Sequence, residues 1–311
     1  MGEGPGMGEG PGVGEGPGVG EPAAPALAPR PSLSPSRASD FTNCPLLYRF
    51  RVLDRIPERP SIEAARGTVV HSVLERLFDL PRQQRTPEAA AGLLAPAWGE
   101  LLAREPELAE LFDADPDSLQ RWLGQARELL ERWFDLEDPQ ALEPEARELY
   151  VETELDSGLL LRGYVDRLDV TPDGRMRVVD YKTGRAPAAG FETKALFQMR
   201  FYALVLWRLR DRVPDMLQLV YLGSGEVVRY VPDEADLRAT ERKVSAVWAA
   251  IENAAQTGDW RANPSRLCDW CDHRSLCPAW GGVPPPLPER ARLIPLASDE
   301  LPSARAPRDE V

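Results

Sequence analysis

The feature that most constrains the fold is a series of short β-prone runs in the second half of the chain. Turn residues such as Asp-Ser-Gly, Pro-Asp-Gly and Ser-Gly separate neighbouring runs, and one helical pattern at 191–210 interrupts the series. The five runs lie at 148–155, 159–170, 175–181, 216–223 and 226–231. A meander followed by a crossover helix and a hairpin predicts an α/β or α+β sheet that helices cover.

The rest of the central part has helical periodicity. Helices are predicted from Ser39 or Asp40 to about Arg51, over 61–78, at about 87–104, at about 117–136 and at about 234–255. The third and fourth of these lie in a helical insertion at about 80–145. That insertion falls largely in an acidic stretch, since 100–156 contains 18 acidic and five basic residues. The formal net charge of −13 is therefore local, and it does not exclude a nucleic-acid partner.

The two terminal segments are predicted to be disordered tails. Residues 1–36 repeat a GEGPGM/GEGPGV unit and continue into a Pro/Ala/Ser stretch, and residues 281–311 are rich in Pro, Arg and Glu. Residues 37–280 remain as one elaborated domain. No apolar run approaches membrane-spanning length and no secretory signal opens the chain, so we expect a cytoplasmic protein without a membrane partner.

Two aspartates lie on neighbouring predicted strands. Asp166 in GYVDRLDV and Asp180 in RVVDYKTG are joined through a Pro-Asp-Gly turn, and paired strands lie about 5 Å apart. Close carboxylates repel each other at neutral pH unless a cation lies between them. Because hard oxygen ligands suit Mg²⁺ or Mn²⁺, the pair predicts a divalent metal site. The alternative is a polar hairpin with a solvated surface pair.

Lys182 is one of only three lysines among 37 cationic side chains. Side chains two residues apart on a strand share a face, so Asp180 and Lys182 would point to the same site. An ammonium can take part in proton transfer, whereas a guanidinium keeps its protons. The chemistry that fits these groups is metal-assisted hydrolysis of a phosphodiester.

Three further polar residues lie on predicted helices. His71, one of two histidines, interrupts the aliphatic face of the helix at 61–78. Its neutral imidazole suits a third metal ligand, and a hydrogen-bonded core histidine is the alternative. Gln198 and Tyr202 are spaced i, i+4 and share one helix face. They could hold a phosphate or the lysine, or they could complete the core.

The four cysteines form an unusual set. Cys268, Cys271 and Cys277 follow a C-x2-C-x5-C spacing, and Cys44 lies 224 residues before the first of them. Cytoplasmic thiols rarely form structural disulfides, so such a cluster predicts a metal site. Four thiolates suit either zinc or an iron–sulfur cluster, and the spacing does not separate the two. His273, inside the same loop, is an alternative ligand.

Together these motifs resemble the RecB-like branch of the PD-(D/E)xK nuclease superfamily. The matching pieces, across about residues 34–280, are SPSRASDFTNCPLLYRFR, RGTVVHSVLE, GYVDRLDV, VVDYKTG, QMRFY and the final Cys loop. The resemblance implies a restriction-endonuclease-like α/β fold with a mixed central sheet flanked by helices, the helical insertion and a C-terminal Cys loop. Val165 stands where the family name has proline, and the acidic insertion matches no motif.

The same resemblance implies roles for individual residues. The metal ligands would be His71, Asp166, Asp180 and the carbonyl of Tyr181. Lys182 would be catalytic, with Gln198 and Tyr202 as the Q-x3-Y element. The four cysteines would hold a [4Fe–4S] cluster, as in CRISPR-associated exonucleases and the B subunit of AddAB helicase–nucleases.

Three functions are consistent with the sequence. The first is a metal-dependent DNA nuclease, of the RecB exonuclease type, that acts on single strands or duplex ends in repair or recombination. No helicase phosphate-binding loop is present in the chain, so a helicase would be a partner in trans. The second is a catalytically silent DNA-end-binding or scaffolding subunit of a helicase–nuclease complex. The third is a zinc-stabilised protein unrelated to nucleic acid.

Overall fold

Six strands form one mixed sheet in the described part of the chain. The computed structural model describes residue 1 and residues 31–112, 115, 117–187 and 193–288. The strands are β1 (Ser32–Leu33), β2 (Ala146–Glu154), β3 (Leu160–Val170), β4 (Met176–Lys182), β5 (Met216–Tyr221) and β6 (Glu226–Tyr230). The predicted meander and the later hairpin are both present, within a few residues of the expected limits.

Strand β3 is the centre of the topology. One edge of β3 pairs with antiparallel β2, and the other edge pairs first with parallel β1 and then with antiparallel β4. Strand β4 continues the sheet through parallel β5, which pairs with antiparallel β6. Parallel β4 and β5 require a crossover, and the helix between them supplies it. The predicted mixed α/β sheet is confirmed.

Seven α-helices lie in the described residues. They are α1 (Pro35–Asn43), α2 (Pro45–Tyr48), α3 (Ile62–Leu77), α4 (Pro87–Arg104), α5 (Ser118–Leu136), α6 (Thr193–Arg210) and α7 (Glu234–Thr257). Ser61, Thr86 and Asp233 cap α3, α4 and α7, because each side chain accepts a hydrogen bond from the backbone three residues on. These caps fix the starts of the longer helices.

Two hydrophobic cores lie on the two faces of the sheet. Helices α1, α6 and α7 pack on one face, against side chains such as Val178 and Leu219. Helices α3, α4 and α5 pack on the other, against Val179, Tyr181 and Val220. The alternation of consecutive β4 residues between the two cores is the period of a strand that is buried on both faces. The predicted insertion therefore forms part of the second helical layer.

The N-terminal region differs from its prediction. The expected helix to about Arg51 is interrupted at Cys44, which is extended and precedes Pro45, and a π-helical turn follows at Arg49–Asp54. Proline disfavours a helical conformation in the preceding residue, which explains the break. Strand β1 and the start of α1 lie within the segment predicted as the N-terminal tail. The described residues do not include three predicted parts of the chain: 2–30 of the N-terminal tail, 191–192 of the expected helix and 289–311 of the C-terminal tail.

Candidate active site and cysteine cluster

The two aspartates lie where β3 and β4 diverge. The ladder between these strands ends at the pair Arg167 and Val179, one residue short of Asp166 and Asp180. At this point the Tyr181 N–H donates a 2.7 Å hydrogen bond to Asp166 Oδ2. Asp180 is only 2% exposed. Burial, followed by the charge of Asp180, raises the pKa of Asp166 to about 7.

His71 reaches the same point from the middle of α3. Its Nε2 lies 3.0 Å from the Tyr181 carbonyl oxygen, and its Nδ1 lies 3.5 Å from Asp166 Oδ2. Burial lowers the pKa of His71, but the neighbouring carboxylates of Glu148, Asp166 and Asp180 outweigh burial and raise it to about 9. The predicted approach of helix and sheet is present, and His71 lies among acidic side chains.

Lys182 connects the Asp-x-Lys segment to α6. Its Nζ lies 2.7 Å from Asp180 Oδ2 and donates a 2.9 Å hydrogen bond to Gln198 Oε1. The Gln198 amide in turn donates to Asp180 Oδ1 at 3.0 Å and to the Tyr202 hydroxyl at 3.4 Å. Burial raises the pKa of Tyr202, so this hydroxyl keeps its proton at neutral pH. One glutamine thus fixes the aspartate, the lysine and the tyrosine relative to one another.

Tyr202 can reach this position because residue 163 on β3 is a glycine. A Cβ at Gly163 would lie 2.7 Å from Tyr202 Cε1. We expect Gly163→Ala to displace the ring and lower the free energy of unfolding by about 1–3 kcal/mol, the usual penalty for overpacking. Denaturant unfolding measures this loss, and a Tyr202→Leu background should reduce it.

Gly92 provides the matched control for that substitution. It lies inside α4, where an added Cβ would have no neighbouring atom within 4 Å. Gly92→Ala should therefore be neutral or stabilising by up to about 1 kcal/mol, as alanine favours helix. Equal effects at the two glycines would contradict the role given to Gly163.

A buried ion-pair network contacts Tyr181, a residue at the centre of the site. Arg167 is 1% exposed and donates to both carboxylate oxygens of Glu137, at 2.9 and 2.7 Å. It also donates a 2.6 Å hydrogen bond to the Tyr181 hydroxyl. Trp133 and Gln218 donate to the same glutamate, at 2.9 and 3.0 Å. Because the Tyr181 backbone contacts both Asp166 and His71, this network fixes a residue at the centre of the site.

Glu148 is a site residue that the sequence analysis missed. One donor atom from each of His71, Glu148 and Asp166 lies within 4.8 Å of the other two, so these three residues could hold a metal ion. Asp180 has its two oxygens toward Lys182 and Gln198, and its role as a metal ligand stays a prediction. The available signal was strand register, since 148 and 166 are opposite positions of β2 and β3.

The four cysteines come from opposite ends of the described chain but line the same cavity. Cys44 lies between α1 and α2, while the other three lie on a loop of short 3₁₀ turns at 266–280. All four line one cavity of about 260 Å³. Their sulfurs are unpaired thiols, and burial raises the pKa of Cys271. The predicted grouping of Cys44 with the C-terminal cysteines is present in the structure.

His273 also lines this cavity. It is 2% exposed, packs its ring against Phe50 with centroids 5.4 Å apart, and has Nε2 at 3.2 Å from Glu58 Oε1. These contacts account for the ring as a packed histidine with an acidic partner. Its role as a substitute ligand stays a prediction.

Comparisons with known proteins place this architecture in a family. The model of the PD-(D/E)XK nuclease superfamily matches residues 32–278. The gene 69 protein of Mycobacterium phage D29 is 30% identical over 268 residues, covering 79% of this chain and 96% of that protein. The gene 69 protein of Mycobacterium phage L5 is 23% identical, with the same coverage.

A solved structure shares the fold. The crystal structure of a protein from Eubacterium rectale, described as a candidate exonuclease, has a TM-score of 0.50 and 14% identity, and covers 78% of this chain and 87% of its own. No helix in the described residues is both long and apolar enough to cross a membrane.

The mixed sheet, with an Asp and an Asp-x-Lys segment at the divergence of two strands, has a restriction-endonuclease-like architecture. The family match covers most of the chain and includes every element of this site. The chain belongs to the PD-(D/E)XK nuclease superfamily, and this membership supports nuclease activity.

Proposed function

We propose that the protein is a metal-dependent deoxyribonuclease of the RecB exonuclease type that degrades DNA from single-stranded or duplex ends during repair or recombination. The observation that carries this proposal is the position of the Lys182 ammonium. It lies 2.7 Å from Asp180 and 2.9 Å from Gln198, beside the His71 and Asp166 cluster. A structural ion pair would not require an adjoining imidazole and a second carboxylate.

The donor set around Asp166 fits a hard divalent cation. His71, Asp166, Asp180 and the Tyr181 carbonyl would hold Mg²⁺ or Mn²⁺, because these cations accept carboxylate and carbonyl oxygens together with an imidazole. When bound, the cation makes a coordinated water more acidic and offsets charge on the phosphate. Asp180 is 2% exposed and its Oδ2 lies 2.7 Å from the Lys182 ammonium, so the carboxylate is held at this position.

Each protein group then has a separate task. Lys182 orients the attacking water and takes part in the transfer of the water's proton. It also stabilises negative charge on the phosphate oxygens. Gln198 holds the ammonium and Asp180 in a fixed relation, and Tyr202 holds the amide of Gln198. The Tyr181 N–H holds the Asp166 carboxylate in position by donating a hydrogen bond to its Oδ2.

We further propose that the four cysteines hold a [4Fe–4S] cluster. All four line one cavity between the N-terminal helices and the C-terminal loop. Four thiolates suit either tetrahedral zinc or a cubane that binds each thiolate to a different iron, and the choice of the cluster comes from the resemblance to the iron–sulfur members of the family.

Two partners follow from this proposal. DNA is the substrate, and a helicase that acts in trans would supply single strands, because the chain has no phosphate-binding loop of its own. We propose a cytoplasmic location, since four unpaired thiols fit a reducing compartment.

The direct test is a time course with end-labelled single-stranded and duplex DNA, in the presence of Mg²⁺, Mn²⁺ or chelator. We expect release of nucleotides or short oligonucleotides from ends only with a divalent ion. Labelling the 5′ and 3′ ends separately gives the polarity, and a circular substrate separates exonuclease from endonuclease action. Tight DNA binding without any cleavage would instead favour the silent scaffolding subunit.

The site's affinity for Mn²⁺ should rise with pH. Without metal, His71 is protonated below about pH 9 and Asp166 below about pH 7. Both groups must lose their protons to act as ligands, so affinity should increase from about pH 6 to pH 9. Calorimetry at pH 7.5 in buffers of different ionisation enthalpy should show protons released on binding. Identical heats in all buffers would contradict this expectation.

A further inference from the structure

Glu148 occupies an unusual position on β2. The pairs Arg147 with Arg167 and Leu149 with Val165 bracket it, so Glu148 lies opposite Asp166. No ladder pair forms at this position, and the backbone of Glu148 is left-handed, with a φ of 44°. A positive φ is uncommon for residues other than glycine, and the exceptions are enriched in Asn and Asp rather than in Glu. The strand thus departs from regular geometry directly opposite a predicted metal ligand.

The glutamate side chain faces the ligand cluster. Glu148 Oε1 lies 3.7 Å from His71 Nδ1, on the side of the imidazole that also faces Asp166 at 3.5 Å. The carboxylate is 33% exposed, so an ion can reach it from solvent. Beside these groups lies Asp180, which is 2% exposed and has its Oδ2 at 2.7 Å from Lys182 Nζ. Three carboxylates therefore converge around the His71 ring, with the Lys182 ammonium against Asp180.

We propose that Glu148 is an additional ligand of the catalytic divalent cation, beyond the His71, Asp166, Asp180 and Tyr181 donors. This inference rests on the proposed function. An oxygen from β2 closes the side of the site that β3, β4 and α3 leave open. The added carboxylate also increases the negative charge that selects a divalent cation over a monovalent one. Opposite residues of an antiparallel pair share one face of the sheet, so the register itself puts Glu148 on the side of Asp166.

The test is Mn²⁺ binding, measured by calorimetry and by electron paramagnetic resonance on the full chain without DNA. Loss of a second-shell partner alone typically weakens metal binding about 10–100-fold, so loss of this ligand in Glu148→Gln should weaken it at least about tenfold. Glu152→Gln is the matched control: Glu152 is an exposed glutamate on the same strand that accepts from the Tyr150 hydroxyl at 2.5 Å. Its Mn²⁺ affinity should equal that of the wild type.

A second variant separates ligation from folding. Glycine adopts a positive φ without strain, so Glu148→Gly should keep or raise the metal-free melting temperature while it weakens Mn²⁺ binding as much as Glu148→Gln does. Unchanged Mn²⁺ affinity in both variants would overturn the ligand role of Glu148, even if the wild type cleaves DNA. A wild type that neither binds Mn²⁺ nor cleaves DNA would instead refute the proposed function.

Discussion

Replacing Lys182 by methionine is expected to slow DNA cleavage about a thousandfold while DNA binding persists. The ammonium lies between Asp180 and Gln198 and is 29% exposed, so it can face both the buried carboxylate and a phosphate. Removal of one group that stabilises transition-state charge typically lowers a rate 10²–10³-fold, and loss of a general acid or base about 10²–10⁴-fold. Initial rates on end-labelled DNA with Mn²⁺, together with DNA-binding titrations, measure the two effects separately.

Two further lysine variants make this expectation specific. Lys182→Arg keeps the positive charge but cannot share its proton, so it should remain about a hundredfold slower than the wild type. Lys243→Met is the control, because Lys243 is exposed on α7 with its ammonium 4.6 Å from the Phe197 ring centroid. Its rate should match the wild type. A fully active Lys182→Met variant would rule out the proposed hydrolysis mechanism.

Substitution of Cys44 by serine is expected to lower the melting temperature by about 10 °C or more and to abolish the visible absorption of an iron–sulfur cluster. Metal-linked folding contributes several kcal/mol, and each kcal/mol shifts the melting temperature by about 2–4 °C in a domain of this size. As a proposed ligand, Cys44 would connect the N-terminal helices to the C-terminal loop. The measurements are thermal unfolding, iron and sulfide analysis, and absorption spectra of anaerobically purified protein.

Trp270 gives the control for the cysteine substitution. It lies between Cys268 and Cys271 in the same loop but is 78% exposed. Trp270→Ala should keep both the iron content and the melting temperature. Stoichiometric zinc without iron or sulfide would replace the cluster by a zinc site, and an unaltered Cys44→Ser variant would rule out any metal there.

Much of the architecture could be predicted from local pattern. Turn residues and alternating apolar positions indicated the strands around Asp166 and Asp180, and the helices at 87–104 and 118–136 agree with their predicted limits within one residue. The strand period also predicted that Asp180 and Lys182 share a site, and they are in contact. These features depend on interactions between residues close in sequence, which periodicity reports directly.

The parts that could not be predicted depend on how distant segments meet. Glu148 enters the site because β2 pairs with β3 in one register and has a left-handed residue at that point, which no local pattern reports. The partner of Arg167 was equally invisible, because Glu137 comes from the end of the helical insertion. The break at Cys44 could have been predicted, because the proline that follows it disfavours a helical conformation in the preceding residue.

The start of the folded region depends on residues made more than two hundred positions later. Tyr48 stacks on Trp260 with centroids 6.0 Å apart, the Leu46 N–H donates to the Arg261 carbonyl, and the Asn263 side chain donates to the Asn43 carbonyl. During synthesis on the ribosome, α1 and α2 therefore emerge long before the surface that covers them. The contacts between the first helices and the last loop must therefore form late in biogenesis. A chain arrested before Trp260 would leave Tyr48 and its neighbours exposed to chaperones.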